Sequence, residues 1–195
     1  MKVETILLEG EHVRLEPLTL EHHAALCEVG LDEELWRWTT TSIQTPEEMR
    51  LYIETALRGY AQGRELPFAT IEKKTEKVVG STRFGNIDTD SRKVEIGWTW
   101  IGRDWQRTII NTEAKYLMLN YAFENWNCIR VELKTDSLNE RSRNAILRIG
   151  AKEEGTLRNH MITYSGRFRH SVLYSIIDSE WRDVKTSLEE MMKRV

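Results

Sequence analysis

The first clear pattern along the chain is an alternation: in His12 to Pro17, Val13 and Leu15 fall on one side and Arg14 and Glu16 on the other, as in a half-buried strand. A helical region is expected from about Leu20 to Leu35. Thr45-Pro46-Glu47-Glu48 then combines a capping residue, proline at the first helical position and a glutamate three residues after the cap, which starts a helix running to about Gln62 and ending at Gly63. Pro67 to Glu72 and Lys77 to Asn86 are β-rich runs parted by the polar Lys73-Lys74-Thr75-Glu76, so they read as a hairpin. Arg92 to Ile101 continues the meander, and its Glu95 to Ile101 portion is rich in tryptophan. In Glu113 to Asn125 the residues Ala114, Leu117, Met118, Tyr121 and Ala122 recur at helical spacing, the stripe of a helix laid on a sheet. Ile129 to Leu133 is a short strand and Asn139 to Ile149 a helix closed by Gly150. β-prone runs at about Ala151 to Arg158 and Ser171 to Ile177 precede a last helix, Glu180 to Lys193.

No repeat, linker or low-complexity tract divides this order, so residues 1–195 are expected to form a single domain. The strand–helix–strand section in the middle requires at least one parallel pairing, whereas the hairpins require antiparallel ones. The fold class is therefore α+β, with a mixed, mostly antiparallel central sheet flanked by helices.

Composition removes several function classes. A formal net charge of -3 and a pI near 6.0 provide no global positive field, so direct nucleic-acid binding is not expected. Cys27 and Cys128 form no C-x-x-C pair, and His12, His22, His23, His160 and His170 form no ligand spacing, so no metal is expected. There is no apolar run of signal-peptide or membrane length, and the reading is of a soluble, cytoplasmic protein. Neither nucleotide-binding glycine signature, G-x-x-x-x-G-K-[ST] or G-x-G-x-x-G, is present.

What remains is the junction from Gln106 to Thr112, Gln-Arg-Thr-Ile-Ile-Asn-Thr, where the tryptophan-rich strand hands over to the amphipathic helix. The first turn of a helix carries N–H groups with no intrahelical partner and a partial positive charge, which stabilises an anion by roughly 0.3–1 kcal/mol.

Several motifs in order then match one family. Glu95-Ile96-Gly97-Trp98 matches its central strand, Asn111-Thr112-Glu113-Ala114-Lys115 its cofactor helix, and Asn139-Glu140-Arg141-Ser142 with Gly150-Ala151 its next helix. Glu154-Gly155-Thr156-Leu157-Arg158, Tyr174-Ser175-Ile176-Ile177 and Glu180-Trp181 come after them. The chain resembles the GNAT superfamily of acyl-CoA-dependent N-acetyltransferases, in particular its RimL-like, ribosomal-protein-acetylating branch, along nearly its whole length.

The resemblance implies a splayed pair of parallel strands and acetyl-CoA as cofactor. It implies that the backbone of Gln106, Arg107, Thr108, Ile109, Ile110, Asn111 and Thr112 holds the pyrophosphate, with Arg107 the basic side chain near it. The pantetheine arm would lie along Trp98, Thr99, Trp100 and Ile101 in a strand-like manner, and Asn139 and Ser142 would face that arm. The reaction implied is direct attack of a primary amine on the thioester in a ternary complex. The amine would belong to a protein N-terminus, a ribosomal protein or a small molecule. Glu95 is the candidate base, and Trp36 and Trp38 would wall the acceptor cleft, although tryptophans are as often core. A homodimer is compatible with the many tryptophans and with the family's habits. A catalytically silent acyl-CoA-binding module and a ribosome-associated module stay as alternatives.

The departures are specific. The superfamily loop reads Gln/Arg-x-x-Gly-x-Gly/Ala, and Ile109 and Asn111 occupy the small positions. Ile109 is expected to keep ordinary dihedrals and to turn its side chain into apolar surroundings. The helix position that carries a tyrosine acid in many relatives is Ile146, which leaves Ser142 as the nearest hydroxyl. His170 follows Arg169 where the branch commonly has an acidic residue.

Overall fold

The alternating N-terminal segment is a strand, β2 (Val13–Pro17), which pairs antiparallel with β1 (Leu8–Glu9) on one side and β3 (Leu66–Glu72) on the other. The structure is a computed structural model and describes residues 1–193. The sheet continues through β4 (Lys77–Asp88), β5 (Lys93–Ile101), β6 (Arg130–Asp136), β8 (Phe168–Ile177) and β7 (Lys152–Ile162), giving eight strands in the order β1-β2-β3-β4-β5-β6-β8-β7. Every pairing is antiparallel except β5 with β6. The expected mixed, mostly antiparallel sheet is the one found.

The helices are α1 (His23–Gly30), α2 (Pro46–Ala61), α3 (Ile109–Asn120), α4 (Glu140–Arg148) and α5 (Asp178–Met192). The region expected as one helix from Leu20 to Leu35 is broken: two 3-10 turns, Leu20–His22 and Glu33–Leu35, bracket α1. The capping residues before α2 act as read. The Glu48 N–H donates to Thr45 Oγ1 and the Thr45 N–H donates to Glu48 Oε2. β7 and β8 are longer than the sequence runs suggest, because each strand supplies the partner the other needs.

Apolar side chains cover both faces of the sheet. On one face Phe68, Phe84, Val94, Ile96, Val131 and Leu133 pack beneath α3 and α5. On the other, Ala69, Ile71 and Trp100 pack against Leu26, Trp36, Met49 and Ile53 of the α1–α2 layer. β3 is buried on both sides for this reason, and its sequence runs apolar rather than alternating. Glu113 ties α3 to the start of the sheet: its carboxylate accepts the N–H groups of Glu11, His12 and Val13 at 2.6–2.8 Å. No helix among the described residues is long and apolar enough to cross a membrane.

The feature that positions the site is a parting of strands. β5 and β6 pair only through Lys93 with Arg130, Val94 with Val131 and Glu95 with Glu132. Beyond Glu95 the two diverge, leaving Ile96–Ile101 and Leu133–Asp136 on opposite sides of a gap.

Candidate functional site

On its other edge β5 is bulged. Gly97 pairs with Arg83 and Trp100 with Ser81, so Trp98 and Thr99 together oppose the single residue Thr82. Trp98 takes the extra turn with a left-handed φ of 49°. Trp98 is 42% exposed, and its ring lies on Arg83, which stacks on Tyr52 as well. Gly85 makes room for that ring, since a Cβ there would come within 2.2 Å of it. The Trp98 carbonyl accepts from Tyr52 Oη at 3.4 Å, so this one backbone group of the strand already has a partner. Trp100 and Ile101 are buried, while Thr99 is exposed at the gap.

From Thr99 a polar thread runs inward. Its Oγ1 shares a hydrogen bond with Thr82 Oγ1 at 2.7 Å and accepts from Lys115 Nζ at 2.6 Å. Lys115, on α3, is only 7% exposed and has no carboxylate partner among the described residues. Burial alone pushes its ammonium down to about 7. In the sequence this residue is one member of a motif, with nothing to single it out.

At the top of the gap α3 begins four residues earlier than expected, at Ile109 rather than Glu113. The helical stripe ends in a π-turn over Tyr121–Asn125. The junction is therefore a short turn plus the first helical turn. Gln106 caps it: its Nε2 donates to the Ile101 carbonyl at 2.8 Å and its Oε1 accepts from Arg141 Nη2. Arg107 is exposed and holds the one left-handed φ of the stretch, 65°, so neither Ile109 nor Asn111 needs glycine's freedom. Thr108 is the N-cap; its Oγ1 accepts from the Ile110 N–H and donates to the Trp105 carbonyl. Ile109 turns half-buried against the apolar core and Ile110 lies within it. Asn111 Oδ1 is buried without a partner among the described residues. Thr112 is buried and accepts from Arg148 Nη2 at 2.9 Å. Two of the α4 arginines, Arg141 and Arg148, lean on this turn, while Arg143 reaches Tyr174 Oη at 3.1 Å. Asn139 is the N-cap of α4, its Oδ1 accepting from the Ser142 N–H at 3.0 Å. Ser142 is half-buried with its hydroxyl unengaged by the described residues.

A diphosphate fits this turn: unpaired N–H groups at a helix start, a cationic Arg107, and two further arginines within one side chain's length. The orphan Asn111 Oδ1 marks a polar group that lacks a donor partner.

On the opposite face of the gap lies a polar floor. Glu95 is buried, and its Oε2 accepts from Asn86 Nδ2 at 2.7 Å and Lys134 Nζ at 3.0 Å. Its Oε1 receives no hydrogen bond from the described residues and lies against Gly97, where a Cβ would come within 3.0 Å. Along β6 and β8 come Asp136, paired with Arg167, and Arg169, whose Nη1 donates to the Trp38 carbonyl at 3.3 Å. Burial pushes the Arg169 guanidinium down from its ordinary range. His160 on β7 is held low by burial and then by Lys134 and Arg169.

The two tryptophans expected to wall the acceptor cleft separate. Trp36 is 3% exposed, its Nε1 donates to the Gly30 carbonyl, and its ring packs on Tyr52 and Trp100; it is core, not wall. Trp38 is half-buried and stacks against Arg37 and Arg167 beside the floor. His170, which replaces an acidic residue, supplies an acceptor of its own: its Nδ1 takes the Asn159 N–H at 2.8 Å.

Residues 12–152 match the family described as "Acetyltransferase (GNAT) domain". The chain is 30% identical over 183 residues to "Putative ribosomal N-acetyltransferase YdaF" of Bacillus subtilis (strain 168), covering 90% of this chain and 97% of that one. It is 26% identical over 179 residues to "Uncharacterized N-acetyltransferase p20" of Bacillus licheniformis, covering 89% and 97%. Among solved structures, a GCN5-related N-acetyltransferase from Brucella melitensis superposes with a TM-score of 0.91 at 30% identity, over 97% of this chain and 86% of that one.

Proposed function

Since the chain belongs to the GNAT acetyltransferase family and is an acetyltransferase enzyme, we propose that it moves the acetyl group of acetyl-CoA to a primary amine in a ternary complex in the cytoplasm. The observation that carries this reading is the parting of β5 from β6 directly after Glu95, with the N-terminal turn of α3 at one end of the gap and the polar floor at the other. Acetyl-CoA supplies an activated acetyl thioester. The chain's contribution is placement. Backbone N–H groups of the Gln106 to Thr112 turn, with Arg107, hold the diphosphate; the Thr99 to Ile101 edge and the Asn139 to Ser142 turn flank the pantetheine arm.

An amine is mostly protonated at neutral pH and must shed that proton to attack. Glu95 is the carboxylate at the point where the strands part. Lys134 and Asn86 fix its Oε2, which leaves Oε1 to accept the proton directly or through water. Ser142 is the hydroxyl nearest the arm, in place of the tyrosine missing at Ile146. The name of the B. subtilis relative refers to ribosomal acetylation, which supports a protein N-terminus, of RimL-like type, as one acceptor class; small amines are the other.

The test is thiol release from acetyl-CoA across ribosomal-protein N-terminal peptides, polyamines, amino acids and aminoglycosides. Release with at least one class is the expected result, and acetyl-CoA binding with none would leave a silent binding module. Glu95→Gln should lower kcat by about 10²-fold, the range of general-base catalysis, with acetyl-CoA affinity changed less than about twofold. Unchanged turnover removes Glu95 from the mechanism.

A further inference from the structure

Glu95, Lys134, Asp136, Arg167 and Arg169 gather on the acceptor side of the gap from β5, β6, β8 and the turn before β8. Lys134 is paired with Glu95 at 3.0 Å and Arg167 with Asp136. The third cation, Arg169, forms no salt bridge among the described residues, although it is 8% exposed. A guanidinium carries five N–H donors, and this one makes a single hydrogen bond, to the Trp38 carbonyl at 3.3 Å, while its Nε has no partner among the described residues. Two residues along, on the same face of β8, Ser171 is wholly buried and its Oγ likewise lacks a partner.

Burying a charge without a counter-ion is costly unless something compensates it. A long hydrogen bond to one carbonyl does not need a guanidinium and does not explain the orphan Ser171 hydroxyl beside it. Arg169 is therefore a buried cation with no salt-bridge partner among the described residues, with a neighbouring hydroxyl, at the side of the gap from which an acceptor must approach Glu95. The floor's other titratable group, His160, adds no negative charge in either protonation state.

We propose that Arg169 and Ser171 form a carboxylate anchor for the acceptor, so that the preferred substrates are amines that carry a carboxylate close to the amine. This rests on the proposed acetylation of a primary amine. The carboxylate can be the α-carboxylate of a free amino acid or the side chain of an acidic residue near a peptide N-terminus, and the guanidinium receives either in bidentate fashion. Glu95 and Asp136 do not oppose it, because Lys134 and Arg167 already neutralise them.

The test compares matched acceptors on the wild-type enzyme: amino acids against their amides, and amidated peptides with glutamate against glutamine at the second position. At least one pair should show a tenfold or greater preference in kcat/KM for the carboxylated member, expressed mainly in KM. Arg169→Gln should erase that preference while leaving the amide-capped acceptors within about threefold, and Arg169→Lys should restore part of it. Equal use of both members in both pairs overturns the anchor, as does a preference that survives in Arg169→Gln with an unchanged melting temperature. If no acceptor releases thiol, N-acetyl transfer itself fails. The anchor is then still decided by calorimetry with the N-acetylated acids: binding lost in Arg169→Gln supports it, and no binding, or binding equal to wild type, overturns it.

Discussion

Lys115 shows at the scale of one residue how a site stores a cost in stability. Its ammonium is buried beside two threonine hydroxyls that could satisfy each other without it, since Thr82 and Thr99 are already 2.7 Å apart. With a folded value of about 7 against 10.5 in the open chain, the unfolded state holds a proton that the folded state lacks between those limits. Stability therefore rises with pH through that window, and below pH 7 the folded protein bears the full cost of a buried ammonium. Lys115→Met should be more stable than wild type by about 3–5 kcal/mol near pH 6, with the advantage shrinking steadily between pH 7 and 10. Denaturant melts at several pH values check this; a pH-independent difference would mean that Lys115 holds its proton in the fold as firmly as in the open chain. The same scale shows what sequence alone could not settle. Ile109 and Asn111 look like obstacles in a loop that normally uses small residues, yet the required left-handed turn falls on Arg107. Which residue of a junction takes a positive φ depends on where the helix starts, and Arg107 has no side-chain signature for that task.

Elements are legible where local chemistry decides them. The Thr45-Pro46-Glu47-Glu48 box starts α2 at the expected residue because its two reciprocal hydrogen bonds are local. The start of α3 falls before the expected residue because Thr108 caps the helix and the core takes Ile110, although Ile109 and Ile110 are β-branched and weak helix formers. The bulge of β5 is invisible in the sequence because it belongs to the pairing with β4, not to either strand's own pattern. Its depth is set by Gly80, where a Cβ would lie 2.2 Å from the Trp100 carbonyl oxygen and 3.0 Å from Ile101 Cα. Backbone cannot swing aside as a flexible side chain can. Gly80→Ala should therefore force β5 away from β4 at the bulge, costing about 1–3 kcal/mol as overpacking does. It should also weaken acetyl-CoA binding by shifting the Thr99 to Ile101 edge. Chemical denaturation with calorimetry on the same sample reads both effects, and lost stability with unaltered affinity would detach the bulge from cofactor binding.

Across the whole molecule, the sheet is two antiparallel halves, β1 to β5 and β6 to β8, held to each other within the sheet by three parallel residue pairs. Beside the Lys134–Glu95 ion pair and the Arg169 hydrogen bond to Trp38, helices tie the two halves together. α3 packs against the first half through Glu113 and the core and against α5 on the second half through the Tyr116 hydroxyl, which donates to Glu189 at 2.8 Å. α4, which belongs to the second half, reaches across with Arg141 to Gln106 and Arg148 to Thr112. A ligand laid along the gap would be gripped from both halves, so its affinity depends on how well those halves are held in register. Arg141 and Arg148 do double service in that arrangement, as ties between α4 and α3 and as positive charge beside the start of α3. Replacing both with alanine should lower the melting temperature by only a few degrees, because both arginines are exposed side chains, yet raise the acetyl-CoA dissociation constant by about tenfold, equivalent to ~1.4 kcal/mol. The stabilisation by saturating acetyl-CoA should shrink accordingly at each ligand concentration, as mass action requires. A thermal-shift series in acetyl-CoA, run at two salt concentrations, separates the two roles: a deficit that salt erases in the wild type belongs to charge, and one that persists belongs to the tie. An undiminished ligand shift in the double variant would place the diphosphate away from α4 altogether.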